Sequence, residues 1–148
     1  MNMLDVILFE NFRVLLDGRE IPLTPCVKEV LALLAVADGH RVTAKGLWAV
    51  LYSYRGIKYN SFFYTERVSE MKSELEFFHI PELIYCSSSV LRSCRMNLDK
   101  VRCDYYEMLD GAAPLGRRED FLPEYGWSDK FYHEDRSALY RYWESLKI

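Results

Sequence analysis

The chain has 148 residues, half of them hydrophobic and 15% aromatic. That is enough for one ordinary domain, or a domain of about 100 residues with an extension, and it excludes a wholly disordered chain. The net charge of −3 excludes a uniformly basic nucleic-acid binder. The charge is uneven, however. Residues 1–103 carry 13 basic and 12 acidic side chains, a net of +1, and the last 45 carry 6 and 10, a net of −4. Any contact with nucleic acid must therefore be local.

The longest apolar run, Val30 to Ala37, is far short of the roughly 20 residues of a membrane span. The start, MNMLDVILFENF, lacks a basic leader and does not read as a signal peptide. The four cysteines, Cys26, Cys86, Cys94 and Cys103, form no CxxC pair and no zinc spacing. A pairing of Cys86 with Cys94 across a hairpin is open. The absence of a secretion signal favours reduced thiols and a cytoplasmic location.

In chain order, three short strands come first: Val6–Phe9, Phe12–Leu16 and Glu20–Leu23, rich in β-branched and aromatic residues. Asp17-Gly18 predicts a hairpin turn between the second and third. A helix follows, with Thr24 as N-cap, Pro25 at its first position and Gly39 as its stop. Val27, Val30, Leu31 and Leu34 make its inward stripe. Thr43 caps a second helix with Leu47, Val50, Leu51 and Tyr54 on one face. After the loop SYRGIKYN a third, longer helix carries Tyr64, Val68, Met71, Leu75 and Phe78 inward.

Beyond Ile80-Pro81 the pattern returns to strands. Leu83–Cys86 and Val90–Leu98, linked by three serines, predict an antiparallel hairpin. Asp104 and Glu107 suit a capping box on a short helix that stops at Gly111. A Gly/Pro/charge-rich connector, GAAPLGRRED, leads to a final amphipathic helix over Ser128–Leu146, with Phe131, Leu139, Tyr142, Trp143 and Leu146 as its stripe. Internal repeats and low-complexity segments are absent.

Strands, three helices and a hairpin in this order predict an α+β winged helix-turn-helix: an N-terminal antiparallel sheet, a three-helix core and a C-terminal β-hairpin wing. The expected boundaries are 1–103 for this domain and 104–148 for a helical extension packed on it. FENFRVLLDGREIPLT resembles the opening of the OmpR-type DNA-binding output domain. VKEVLALLAVADGHRVTAKGLWAVLY is similar to its first two helices, and RVSEMKSELEFFHI to its recognition helix. The resemblance covers about 100 residues and rests on the order and spacing of weak signals. The tail, YYEML…EDFLPEYGWSDKF, is similar to the segment that follows the winged helix in regulators of the bacterial transcriptional activator type. The chain carries neither a helical array nor a receiver domain, and is expected to be an output module alone or a fragment of a longer regulator.

The resemblance implies double-stranded DNA as partner, with the third helix in the major groove and the wing on the backbone. At 100° per residue, with the apolar stripe inward, the outward face of that helix holds Phe62, Glu66, Ser69, Glu70, Ser73 and Phe77. Arg67 and Lys72 lie on the two flanks, with Thr65 beside Lys72. The resemblance implies basic side chains near Ser69 and Glu70, where this sequence carries a hydroxyl and a carboxylate. The candidate DNA contacts are Lys45, Arg55, Lys58, Thr65, Arg67, Ser69, Lys72, Ser73, Arg92 and Arg95. The alternative is a winged helix that has lost DNA reading and meets a second copy or another regulatory protein. Phe62 and Phe63 are expected against the N-terminal sheet or the last helix, and Trp127 and Trp143 are expected to dock that helix.

Enzyme signatures such as GxSxG, a Gly-rich phosphate loop and HExxH are missing, and His40, His79 and His133 are isolated. Glu66, Glu70 and Glu74 recur every fourth residue, as a solvated helix face does. Catalysis, metal and cofactor are not expected.

Overall fold

Asp17 and Gly18 both take left-handed backbone, with φ of 53° and 79°, as a two-residue turn between antiparallel strands requires. In the computed structural model, which describes residues 4–37, 40–87, 92–111 and 116–131, the chain runs β1 (Leu4–Ile7), β2 (Arg13–Leu16), β3 (Arg19–Glu20), α1 (Pro25–Val36), β4 (Arg41–Thr43), α2 (Ala44–Leu51), α3 (Ser61–Phe77), β5 (Ile84–Ser87), β6 (Ser93–Met96), β7 (Val101–Cys103) and α4 (Asp104–Leu109). It is a mixed α+β chain of two compact units, residues 23–97 and residues 1–22 with 98–148. None of the described helices is long and apolar enough to cross a membrane.

In the unit that holds both ends, the sheet order is β3-β2-β1-β7. The expected hairpin pairs Leu16 with Arg19 and Leu15 with Glu20. The sheet is mixed, not antiparallel as expected, because β7 runs parallel to β1 with Val6 opposite Cys103. Asp104, the residue after β7, holds it there. Its carboxylate accepts the Leu8 N–H at 2.9 Å, the Phe9 N–H at 3.1 Å and the Tyr105 N–H at 2.8 Å. The expected capping box is thus replaced by a tie from α4 to the end of β1. Leu4, Val6, Leu8, Phe12 and Val14 are buried, and burying each such side chain contributes roughly 1.5–3 kcal/mol. Phe9, Tyr105 and Phe121 cluster beside them, with Tyr105 and Phe121 rings 4.7 Å apart. Gly111 ends α4 at φ 81°. Gly126–Phe131 form a 3-10 turn; most of the expected last helix, including Leu139, Tyr142, Trp143 and Leu146, lies outside the described residues, as do Gly39 and His133. Trp127 is buried and stacks on Tyr125 at 5.2 Å.

The unit of residues 23–97 holds α1, α2 and α3 and the three-stranded sheet β4-β6-β5. Pro25 opens α1, but Thr24 does not cap it with its side chain. Instead the Thr24 N–H and hydroxyl donate to the Glu74 carboxylate of α3, at 2.8 and 2.6 Å. The expected stripe of α1 is buried, and so are Ala32, Leu33, Ala35 and Val36, the pattern of a helix enclosed on nearly all sides. Thr43 caps α2 as expected, accepting the Gly46 N–H at 3.0 Å. The Trp48 indole N–H donates to the Ile57 carbonyl at 2.6 Å and holds the loop that follows. Asn60 caps α3 by accepting the Phe62 N–H. Tyr64, Val68, Met71 and Leu75 form its buried stripe.

Candidate functional site

The 17 residues of α3 present three different surfaces along one helix. Away from the core, Phe62, Glu66, Ser69, Glu70, Ser73 and Phe77 form the exposed outward face; Phe62 and Phe77 keep 69% and 73% of their surface in solvent, so Phe62 does not have the packed place expected of it. Arg67 lies between this face and the core. Its guanidinium pairs with Glu66 and with Glu70, each at 3.3 Å, so the two carboxylates of the outward face are locally compensated.

The Arg67 flank is a small basin of about 200 Å³ lined by Cys26, Glu29, Leu51, Tyr52, Arg55, Phe63 and Arg67. Phe63 stacks on Tyr52 with ring centres 4.9 Å apart, which corrects its expected place against the N-terminal sheet or the last helix. The Arg55 guanidinium lies 6.0 Å from the Tyr52 ring centre. Burial pushes the Tyr52 phenol above its ordinary range.

The other flank of α3 forms a wall of a larger cleft, about 400 Å³, lined by Tyr64, Thr65, Val68, Ser69, Lys72, Cys86 and Arg92. Thr65, Ser69 and Lys72 are spaced i, i+4 and i+7, which stacks them down one side of the helix. Arg92 arrives from just before β6. Its carbonyl accepts the Ala44 N–H at 3.0 Å, anchoring it at the first turn of α2. Its guanidinium donates to the Thr65 hydroxyl at 3.2 Å. Two cations and two aliphatic hydroxyls thus converge, and among the described residues no carboxylate lines the cleft.

Tyr64 adds a further group. Its ring is core, as the sequence pattern implied, but its buried hydroxyl has no hydrogen-bond partner among the described residues. Burial is the main cause that pushes this phenol up, with Cys94 and Cys86 adding to it. An unpaired buried donor costs about 1–3 kcal/mol, so an acceptor reaching the cleft would be stabilised there.

The predicted residues are therefore divided. Thr65, Ser69, Lys72 and Arg92 come together, and Arg55 and Arg67 share the second basin. Lys45, Lys58 and Ser73 are exposed outside both linings. Arg95 sits on β6 opposite Arg41 and Tyr85, with its guanidinium 5.0 Å from the Tyr85 ring centre. The unit of residues 23–97 holds nine basic and seven acidic side chains, a net of +2. Sequence reasoning did not place Tyr64 and Cys86 in the cleft. The signals were there: the phenol tip on a stripe residue adjoining Thr65, and a cysteine in the strand before Arg92.

Elsewhere, His40 is buried in left-handed backbone with Nδ1 bonded to the Ala35 carbonyl at 3.0 Å. Among the described residues, groups of three or more side chains fit to hold a metal ion are absent. Comparison with protein-family models, with curated proteins and with solved structures gives no match.

Proposed function

We propose that residues 23–97 form a winged-helix module of a transcriptional regulator that binds double-stranded DNA, with α3 as the groove helix, β5–β6 as the wing and the cleft between them as a phosphate grip. The observation that carries this reading is the convergence of Lys72, Arg92, Thr65 and Ser69 beside α3, with no carboxylate among the described residues of the cleft. Phosphate contacts supply most of the sequence-independent affinity of such modules and fix their register on the duplex. Hydroxyls on the same flank would accept from or donate to base edges. Titration of a labelled random-sequence duplex across a salt series tests the reading. Binding that weakens steeply from about 50 to 200 mM salt is expected, and no association at the lowest salt would sink it.

A second reading rests on a separate observation, the exposure of Phe62 and Phe77 next to Glu66 and Glu70 on the outward face. Large exposed aromatics on one helix face suit a protein partner, either a second copy or another regulatory protein. A chain that ignores duplex at low salt but self-associates, and loses that association in Phe62→Ser/Phe77→Ser, would favour this reading over the first.

A further inference from the structure

Two thiols face each other across the β5–β6 hairpin. Cys86 and Cys94 are direct register partners, and their sulfurs lie 3.1 Å apart as free thiols. Directly opposed residues hold their Cβ atoms about 4.5–5.5 Å apart, from the upper limit of the disulfide range to about 1 Å beyond it. A disulfide brings the sulfurs to about 2.05 Å. The missing approach is thus about 1 Å, within reach of small side-chain rotations with the strand register unchanged.

The two sulfurs are not equivalent. Cys94 is buried, whereas Cys86 is half-buried and lines the cleft with Lys72. Cys26 lies on α1, and Cys103 is buried on β7 in the other unit.

We infer that Cys86 and Cys94 are a reversible dithiol–disulfide site, oxidised by a small hydroperoxide that enters the cleft between α3 and the hairpin. The inference stands on the hairpin geometry and holds whether or not the chain binds DNA. The Cys86 thiolate attacks one peroxide oxygen, the O–O bond breaks, and the leaving hydroxide takes up the proton that Cys86 released. Cys86 is then a sulfenic acid. The Cys94 sulfur attacks the Cys86 sulfur, the S–O bond breaks, and the hydroxyl leaves as water with the Cys94 proton. In sum, two thiols lose two electrons and one hydrogen peroxide becomes two waters.

The hydrogen bond shared with Cys94 is the main influence on Cys86. Together with Lys72, and against burial, it lowers the Cys86 thiol from its ordinary range. The same hydrogen bond, together with burial, pushes the Cys94 thiol well up. This ordering makes Cys86 the attacking sulfur and Cys94 the resolving one. Cys86 should therefore react faster at neutral pH than an ordinary thiol.

The experiment uses the 148-residue chain with Cys26→Ala, treated at pH 7 with hydrogen peroxide. Expected are the loss of two hydrogen masses per chain, a proteolytic fragment joining Cys86 to Cys94, and reversal by dithiothreitol. Cys94→Ser should stop at a Cys86 sulfenic acid that dimedone captures. The joined fragment is also sought in the unsubstituted chain, so the result does not depend on any variant folding. Two intact thiols after excess peroxide, or a bridge formed only between chains, would overturn the inference.

Discussion

Replacing Lys72 and Arg92 together by alanine removes both cations from the cleft beside α3. Both side chains are exposed, and the contact that Arg92 makes, a hydrogen bond to the Thr65 hydroxyl, is also exposed. The fold should therefore lose no more than about 0.5 kcal/mol. The effect on duplex binding should be large and should have a particular form. Each phosphate neutralised adds about 0.9 to the slope of log affinity against log salt, so two lost contacts lower the slope by about 1.8. Between about 50 and 200 mM salt, a fourfold change, the unsubstituted chain should lose roughly 12-fold more affinity than the double variant. Fluorescence anisotropy of a labelled random-sequence duplex, read at several salt concentrations, gives both slopes. A thermal melt of each protein separates loss of binding from loss of fold. Equal slopes in two folded proteins would refute the phosphate grip, even if the absolute affinities differed.

Glu74→Ala should cost about 1–2 kcal/mol and a few degrees in Tm, because the Thr24 N–H and hydroxyl that it accepts lose a charged acceptor. Glu74→Gln should recover most of this by keeping an acceptor, and an alanine variant that melts like the original would remove Glu74 from the account of how α1 begins. Asp104→Ala should cost roughly 2–5 kcal/mol in urea unfolding, since the Leu8 and Phe9 N–H groups lose their acceptor. Burial pushes the Asp104 carboxyl above its ordinary 3.8, against the pull of the Leu8, Phe9 and Tyr105 N–H groups. Its folded value lies above its unfolded one, so its contribution is fully present below about 3.8 and is lost as pH rises through the folded value. The stability advantage over Asp104→Asn should therefore shrink as pH rises from about 4; an advantage that grows with pH would contradict that environment.

Much of the unit of residues 23–97 was legible because its signals are periodic. The stripes of α1 and α3, the Thr43 cap and the facing of Cys86 and Cys94 all follow from spacing. The missed strands, β4 and β7, have three residues each, too few to show a period of two. They exist because partners fix them: β6 for one, and β1 with the Asp104 carboxylate for the other. Thr24 failed as a side-chain cap for a similar reason, since a carboxylate 50 positions along the chain takes both of its donors. The site was legible residue by residue but not as a set. Which cations share a cleft depends on Arg92 being held at the start of α2 by the Ala44 N–H, a contact between segments that no local pattern encodes.

The side chains of α3 also decide how a duplex would meet it. If the outward face met the groove floor, Glu66 and Glu70 would stand against the phosphate walls, and Arg67 is already committed to both of them. The flank of Thr65, Ser69 and Lys72 is turned from the centre of that face by roughly 80° at 100° per residue. A DNA-binding module built this way would roll onto that flank, carrying Arg92 to the backbone and turning Phe77 away from the duplex, with Phe62, about 55° from the flank centre, at its edge. The acidic, aromatic face then ceases to count against DNA binding. It would remain open to a protein partner while the other flank holds DNA, so the duplex and the partner need not compete for α3. Phe62→Ser/Phe77→Ser should accordingly leave the salt slope for random duplex unchanged, and a lowered slope in that variant would place the aromatic face against the DNA.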